Sequence, residues 1–149
     1  MTATAVARPQ HRILLVREWD SQTSGSGCCG RLGGDHCAVG HPDSFDRSRA
    51  LMETMGGIYR ALRQELPADR FEITIVDPRN MVWLIPAMLR DGRRRGFRGG
   101  ELWRQLNRGV RNGAIVVDGR ALSADDYGDL DDAVGAVLRE LAAARQPPM

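Results

Sequence analysis

Cys28, Cys29 and Cys37 stand within ten positions of one another, with His36 and His41 beside them. Thiolates are soft donors. They select zinc, cuprous copper and iron–sulfur clusters and, by the same softness, trivalent arsenic or antimony. Three sulfurs suit a three-coordinate metalloid, and His36 or His41 would complete a four-ligand zinc set. Adjacent cysteines fit the usual zinc knuckle poorly, because its paired ligands are separated by at least two residues. An iron–sulfur cluster needs a fourth protein ligand that three cysteines do not supply, so it ranks below zinc and arsenite as a cofactor expectation. The same atoms suit thiol redox chemistry. A thiolate near Arg31, in a loop leading toward a helix start, would have its pKa lowered and its nucleophilicity exposed. A disulfide between neighbours Cys28 and Cys29 would close a strained ring, so Cys37 is the resolving partner in that alternative.

These residues sit in a segment from about residue 20 to 43 that also holds Gly25, Gly27, Gly30, Gly33, Gly34 and Gly40. That is loop composition, and a loop of this length is usually functional or disordered. The elements that must position it are legible on either side. A short apolar run, Arg12-Ile-Leu-Leu-Val-Arg17, predicts a first strand over residues 12–18. After the loop, Asp43 or Ser44 can cap a helix whose Leu51, Met55, Ile58, Tyr59, Leu62 and Leu66 share one face, and Pro67 ends it. Phe71-Glu-Ile-Thr-Ile-Val76 alternates as a strand, with Phe71, Ile73 and Ile75 facing one way.

Met81–Leu89 is apolar nearly all round and reads as a buried helix that Pro86 bends or shortens. Arg90–Arg98 reads as an Arg- and Gly-rich connection, and Glu101–Leu106 as a short helix with Leu102, Trp103 and Leu106 on one side. Ala114-Ile-Val-Val117, then Asp118-Gly119, then Arg120-Ala-Leu122 predicts a hairpin, since Asp-Gly supplies the positive-φ pair of a tight turn. Ser123 can cap the segment after this hairpin. Leu130, Val134, Val137, Leu138 and Leu141 form the apolar stripe of a last helix that ends before Gln146-Pro-Pro148.

The whole chain sets the bounds. Its 149 residues suit one domain with a real core. The expected organisation is a flexible arm over residues 1–11, one domain over 12–145 and a frayed tail over 146–149. The apolar content of 42% and a formal net charge of +2 describe an ordinary soluble globule rather than a disordered chain. All 21 basic residues are Arg, a skew first attributable to GC-rich coding. No apolar run has signal-peptide character, and none reaches the roughly eighteen residues of a membrane span. A cytoplasmic location without membrane insertion is therefore expected. Reducing conditions there favour a metal or redox use of clustered cysteines over a structural disulfide.

The element order is β, loop, α, β, α, α, β, β, α, which predicts an α/β domain with a four-stranded mixed sheet flanked by helices. Cysteines between the first strand and first helix, in this order of elements, resemble the thioredoxin-like fold. Thioredoxin oxidoreductases carry Cys-x-x-Cys and a proline before the third strand. Here Cys28 and Cys29 are adjacent, and Arg111-Asn-Gly-Ala114 has no proline, which argues against general disulfide reduction. A nearer resemblance is to the arsenical-operon metallochaperone and repressor family, in which a Cys-Cys pair and a third cysteine follow the first strand. Cys28, Cys29 and Cys37 are similar to that triad, and Ala114-Ile-Val-Val-Asp-Gly119 resembles its late strand and turn. The resemblance implies an accessory protein that delivers or senses a soft ion, with no enzyme activity required.

A third reading comes from the most basic stretch. Arg90, Arg93, Arg94, Arg95, Arg98, Arg104, Arg108 and Arg111 face only Asp91 and Glu101 in 22 residues. Arg93, Arg94, Arg95 and Arg98, with Trp103, are candidate partner-binding residues of a small subunit or maturation factor of a larger metalloenzyme. Phe97 could stack on a base, but the near-neutral chain lacks a recognised reading module, so a protein partner is expected and nucleic acid is not. A homodimer is compatible with the sequence. Trp83 and Trp103 are expected as core or interface anchors, and Trp19 as a wall of the cysteine loop. The acidic run Asp125, Asp126, Asp129, Asp131 and Asp132 suits the positive end of the last helix without a metal. His11 carries no functional expectation.

Overall fold

The computed structural model describes residues 9–18 and 42–144, with side chains of the first helix described from residue 49. Strand β1 (His11–Val16) leads through the cysteine segment to α1 (Pro42–Glu65), β2 (Phe71–Val76), α2 (Met81–Arg94) and α3 (Gly99–Gly109). The hairpin β3 (Ile115–Val117) and β4 (Arg120–Leu122) follows, then a 3-10 turn (Ala124–Asp126) and α4 (Leu130–Ala144). The chain is an α/β protein with one four-stranded mixed sheet, ordered β2-β1-β3-β4. β1 pairs in parallel with β2, from His11 opposite Phe71 to Val16 opposite Val76, and antiparallel with β3.

Helices cover both faces of this sheet, and that explains the unbroken apolar run of β1. Ile13 and Leu15 join Met55, Ile58, Leu62, Phe71, Ile73, Val137 and Leu141 in a core beneath α1 and α4. Leu14 and Val16 point the other way, into a second core with Val76, Leu84, Met88, Leu106 and Val116 beneath α2 and α3. A fully buried side chain of this kind contributes roughly 1.5–3 kcal/mol, so central β1 anchors both layers. Close approach tightens the second layer. A Cβ on Gly109 would stand 2.2 Å from the Met88 methyl and 3.1 Å from a Val116 methyl, so any larger residue there requires the Met88 side chain to move.

Most boundaries agree with the pattern in the sequence, and the differences have physical causes. β1 starts one residue earlier than predicted and ends at Val16, because the Arg17 N–H makes a last bond to the Val76 carbonyl before the chain departs. α1 starts at Pro42, ahead of Ser44, as proline tolerates the first turn. The stretch Arg90–Arg94, expected as connection, continues α2; its inward positions are Asp91 and Gly92, which hid the apolar period. Pro86 does not shorten that helix, and only one face of it is buried. Val82 is 90% exposed, and Met81 and Trp83 are also exposed.

α3 is longer than Glu101–Leu106 at both ends. Its buried side is Leu102, Gln105, Leu106 and Gly109, while Trp103 is 67% exposed and is not a core anchor. Gln105 takes the inward place because its carbonyl accepts the Ala121 N–H at 2.8 Å, satisfying the open edge of short β4. In α4 the inner stripe is Ala133, Ala136, Val137 and Leu141, and Leu138 is exposed. Ser123 caps the 3-10 turn in a reciprocal box with Asp126, and Asp129 accepts the Asp132 N–H at the start of α4. Among the described residues, no helix is long and apolar enough to cross a membrane.

Candidate functional site

The connections after β1 and β2 leave the same end of the sheet for opposite faces. The segment after β1 leads to α1 beneath one face, and the turn after β2 leads to α2 beneath the other. Adjacent strands whose connections diverge in this way open a crevice, the usual ligand position in open α/β sheets. Strand β1, which flanks that crevice, ends at Val16, and the cysteine segment follows it in the chain. Cys28, Cys29, Cys37, His36 and His41 lie outside the described residues, as do Trp19, residues 1–8 of the arm and the tail; the arm's last residue, His11, opens β1.

The described rim shows what the segment is tied to. Gly113 donates its N–H to the Val16 carbonyl at 2.8 Å, and the Glu18 N–H donates to the Asn112 side-chain carbonyl at 3.1 Å, so β1 is held against the approach to β3 until it departs. The Tyr127 hydroxyl donates to the Gly113 carbonyl at 2.5 Å, pinning that approach from the α4 side. Burial, with the negative charge of Asp126, pushes the Tyr127 hydroxyl up to about 12. Across the crevice, Asp77 accepts from the Arg79 backbone N–H and guanidinium, which shapes the turn into α2. Helices α1, α2 and α4 begin at this end; the positive end of α4 is already met by Asp129, Asp131 and Asp132, whereas the first turn of α2 carries no acid and its dipole favours an anion.

No protein-family model, curated protein or solved structure matches the chain. The chemistry of the site therefore rests on its own residues.

The opposite end of the sheet carries a polar cluster that the sequence did not announce. His11 donates from Nδ1 to Asp118 at 2.8 Å while its ring stacks on Phe71. Asp118 also accepts the Arg12 N–H at 2.8 Å. The Arg12 guanidinium spans Glu72 at 3.0 Å and Asp91 at 3.3 Å. Burial raises the Asp91 carboxyl above its ordinary value, against the pull of Arg12 and Arg94. These residues, with Arg94 and Arg95, surround a pocket of about 200 Å³. Nothing in local sequence signals it, because His11 and Asp118 are 107 positions apart. Among the described residues, no group of three or more His, Cys, Asp or Glu side chains is placed to hold a metal ion.

The predicted partner-binding residues are divided by the fold. Arg95 is drawn inward, donating to the Val117 carbonyl at 3.1 Å and to Glu140 at 2.6 Å, with its guanidinium over the Phe97 ring. Arg93, Arg94, Arg98 and Trp103 are exposed. Arg93 and Arg98 line a groove between the end of α2 and the start of α3, together with Phe97, Gly99 and Leu102. Two members of the acidic run, Asp126 and Asp129, hold the turn and helix start; burial raises the Asp126 carboxyl, but hydrogen bonds from Ser123 and the nearby Arg108 outweigh it and hold it below its ordinary range.

Proposed function

We propose that this is a thioredoxin-like accessory protein that binds a soft metal or metalloid ion through Cys28, Cys29 and Cys37, for delivery or sensing. The observation that carries the reading is the position of the three-cysteine segment in the chain. It joins the end of the central strand β1 to the start of the long helix α1. The parallel β1–α1–β2 unit, followed by the β3–β4 hairpin and α4, supports the thioredoxin-like part of the proposal. Helix starts at that end favour the deprotonated thiols that a soft ion requires.

Three sulfurs match a three-coordinate arsenic or antimony ion, and either His36 or His41 would add the fourth ligand for zinc. The experiment is anaerobic titration of the reduced protein with arsenite and with zinc, following thiolate absorption. Binding below micromolar concentration is expected for at least one ion, and Cys37→Ser weakens it by about a hundredfold or more. Absence of binding in wild type overturns the proposal. Should mild oxidant instead join Cys37 to Cys28 or Cys29 in a protein that takes no ion, the thiol redox reading replaces it.

A further inference from the structure

The layer formed by α2 and α3 has a charge and surface character unlike the rest of the molecule. From Met81 to Arg111 there are eight Arg residues against Asp91 and Glu101. Both acids are already engaged: Asp91 by Arg12 and Arg90, Glu101 by Arg104 and Gln105. Arg95 and Arg108 are paired with Glu140 and Asp126. Arg93, Arg94, Arg98 and Arg111 have no ion-pair partner among the described residues. The same layer carries Met81, Val82, Trp83 and Trp103, four of the five exposed large apolar side chains of the described structure.

Two of the unpaired guanidiniums, Arg93 and Arg98, rim the groove of about 330 Å³ between α2 and α3, whose apolar lining is Phe97 and Leu102. Trp103 follows Leu102 on α3 and stands out into solvent. Arginine beside an exposed tryptophan, over an apolar pocket, is the composition of an energetic centre in protein interfaces.

We propose that this groove docks an acidic segment of a partner protein, in which carboxylates flank a large apolar side chain. The apolar group enters between Phe97 and Leu102, and the carboxylates meet Arg93 and Arg98. Charge complementarity selects the partner: the surplus cations have no acid left on their own layer to pair with. A peptide fits better than a nucleic acid because the Arg95 guanidinium already covers one face of the Phe97 ring, 5.6 Å from its centroid, and Phe97 is the only aromatic among the described residues lining the groove. Docking at this groove is independent of what the cysteines bind.

The test uses the full-length protein and the synthetic peptide acetyl-Glu-Glu-Leu-Phe-Glu-Glu-amide, with amide NMR shifts as readout. Saturable shifts are expected over Phe97–Trp103, weakening steeply with added salt. The double variant Arg93→Glu, Arg98→Glu should lose affinity by about tenfold or more, whereas Arg60→Glu on α1 leaves it within about twofold. Three results overturn the proposal: a Lys-for-Glu version of the peptide binds equally well, the Arg60→Glu control weakens binding as much as the groove variants, or a single-stranded oligonucleotide occupies the groove more tightly than the peptide.

Discussion

The two ends of the sheet are built on different principles. At the β1 start, backbone and charge are locked together: the Asp118-Gly119 turn presses on α2, Asp118 holds both His11 and the Arg12 N–H, and Arg12 bridges to Glu72 and Asp91. At the β1 end, a few bonds from Gly113, Asn112 and Tyr127 hold the strand in place before the chain leaves into the cysteine segment. The first end uses its polar groups on one another. The second holds only the base of its connections, which is where an α/β sheet can carry chemistry without dismantling its core.

The contrast between the ends breaks most visibly at Gly119. With φ at +83°, a Cβ there would lie 2.3 Å from the Gly92 nitrogen and 2.5 Å from its Cα, so the obstacle is backbone that cannot swing away. Gly119→Ala should cost about 3 kcal/mol or more in urea unfolding. Gly96 separates the two causes. Its φ of +94° is equally unusual, but a Cβ would meet nothing within 4 Å, so Gly96→Ala should cost only about 1–2 kcal/mol. Equal losses would mean that turn conformation, and not contact between hairpin and helix, stabilises the polar end.

Arg12 is next in size. Arg12→Ala leaves the buried Asp91 carboxylate without its principal counter-charge, at a cost of about 2–3 kcal/mol near neutral pH. The sign with pH follows from the raised Asp91 pKa. The fold prefers the protonated acid, so stability from this group is full below its unfolded value and falls as pH rises through the raised one. Removing Arg12 strengthens that preference. The deficit of Arg12→Ala should therefore shrink in acid, and Asp91→Asn in the same background should recover part of it at neutral pH. A deficit that is flat with pH and not relieved by Asp91→Asn would show that Arg12 acts by packing alone.

How far such features can be read in advance depends on whether their cause is local. Asp118 and Gly119 adopt φ of +48° and +83°, as a two-residue hairpin turn between apolar runs requires, and the helical stripe from Met55 to Leu66 is buried as its spacing predicts. Local period failed where inward positions are small or polar. Asp91 and Gly92 face inward at the end of α2, and Gln105 faces inward in α3 because a strand edge 16 residues away needs an acceptor. Trp103 shows the converse: the sequence groups it with Leu102 and Leu106 on one helix side, but in the fold it stands 67% exposed while they are buried. His11 with Asp118 is wholly tertiary. The proposed cysteine site is a reading of residue type, spacing and place in the chain order, since those are the features a sequence states directly.

The smallest expected effect tests the cysteine end. Tyr127 contributes one hydroxyl to the Gly113 carbonyl, next to the bond that ties Gly113 to Val16. Tyr127→Phe keeps the ring in the α1–α4 core and removes that donor, so the loss should be about 1 kcal/mol. The hydroxyl gives an independent signal. Its folded value of about 12 lies above the ordinary 10, so the fold favours the neutral phenol. Stability from this group is full below about pH 10 and is lost as pH rises toward 12. An absorbance titration of wild type should show a tyrosinate component near 12 that Tyr127→Phe lacks. If the variant also leaves amide exchange at Gly113 and Ala114 unchanged, the hydroxyl does not hold the approach to β3. The difference between the two ends would then rest on the Val16 and Asn112 contacts alone.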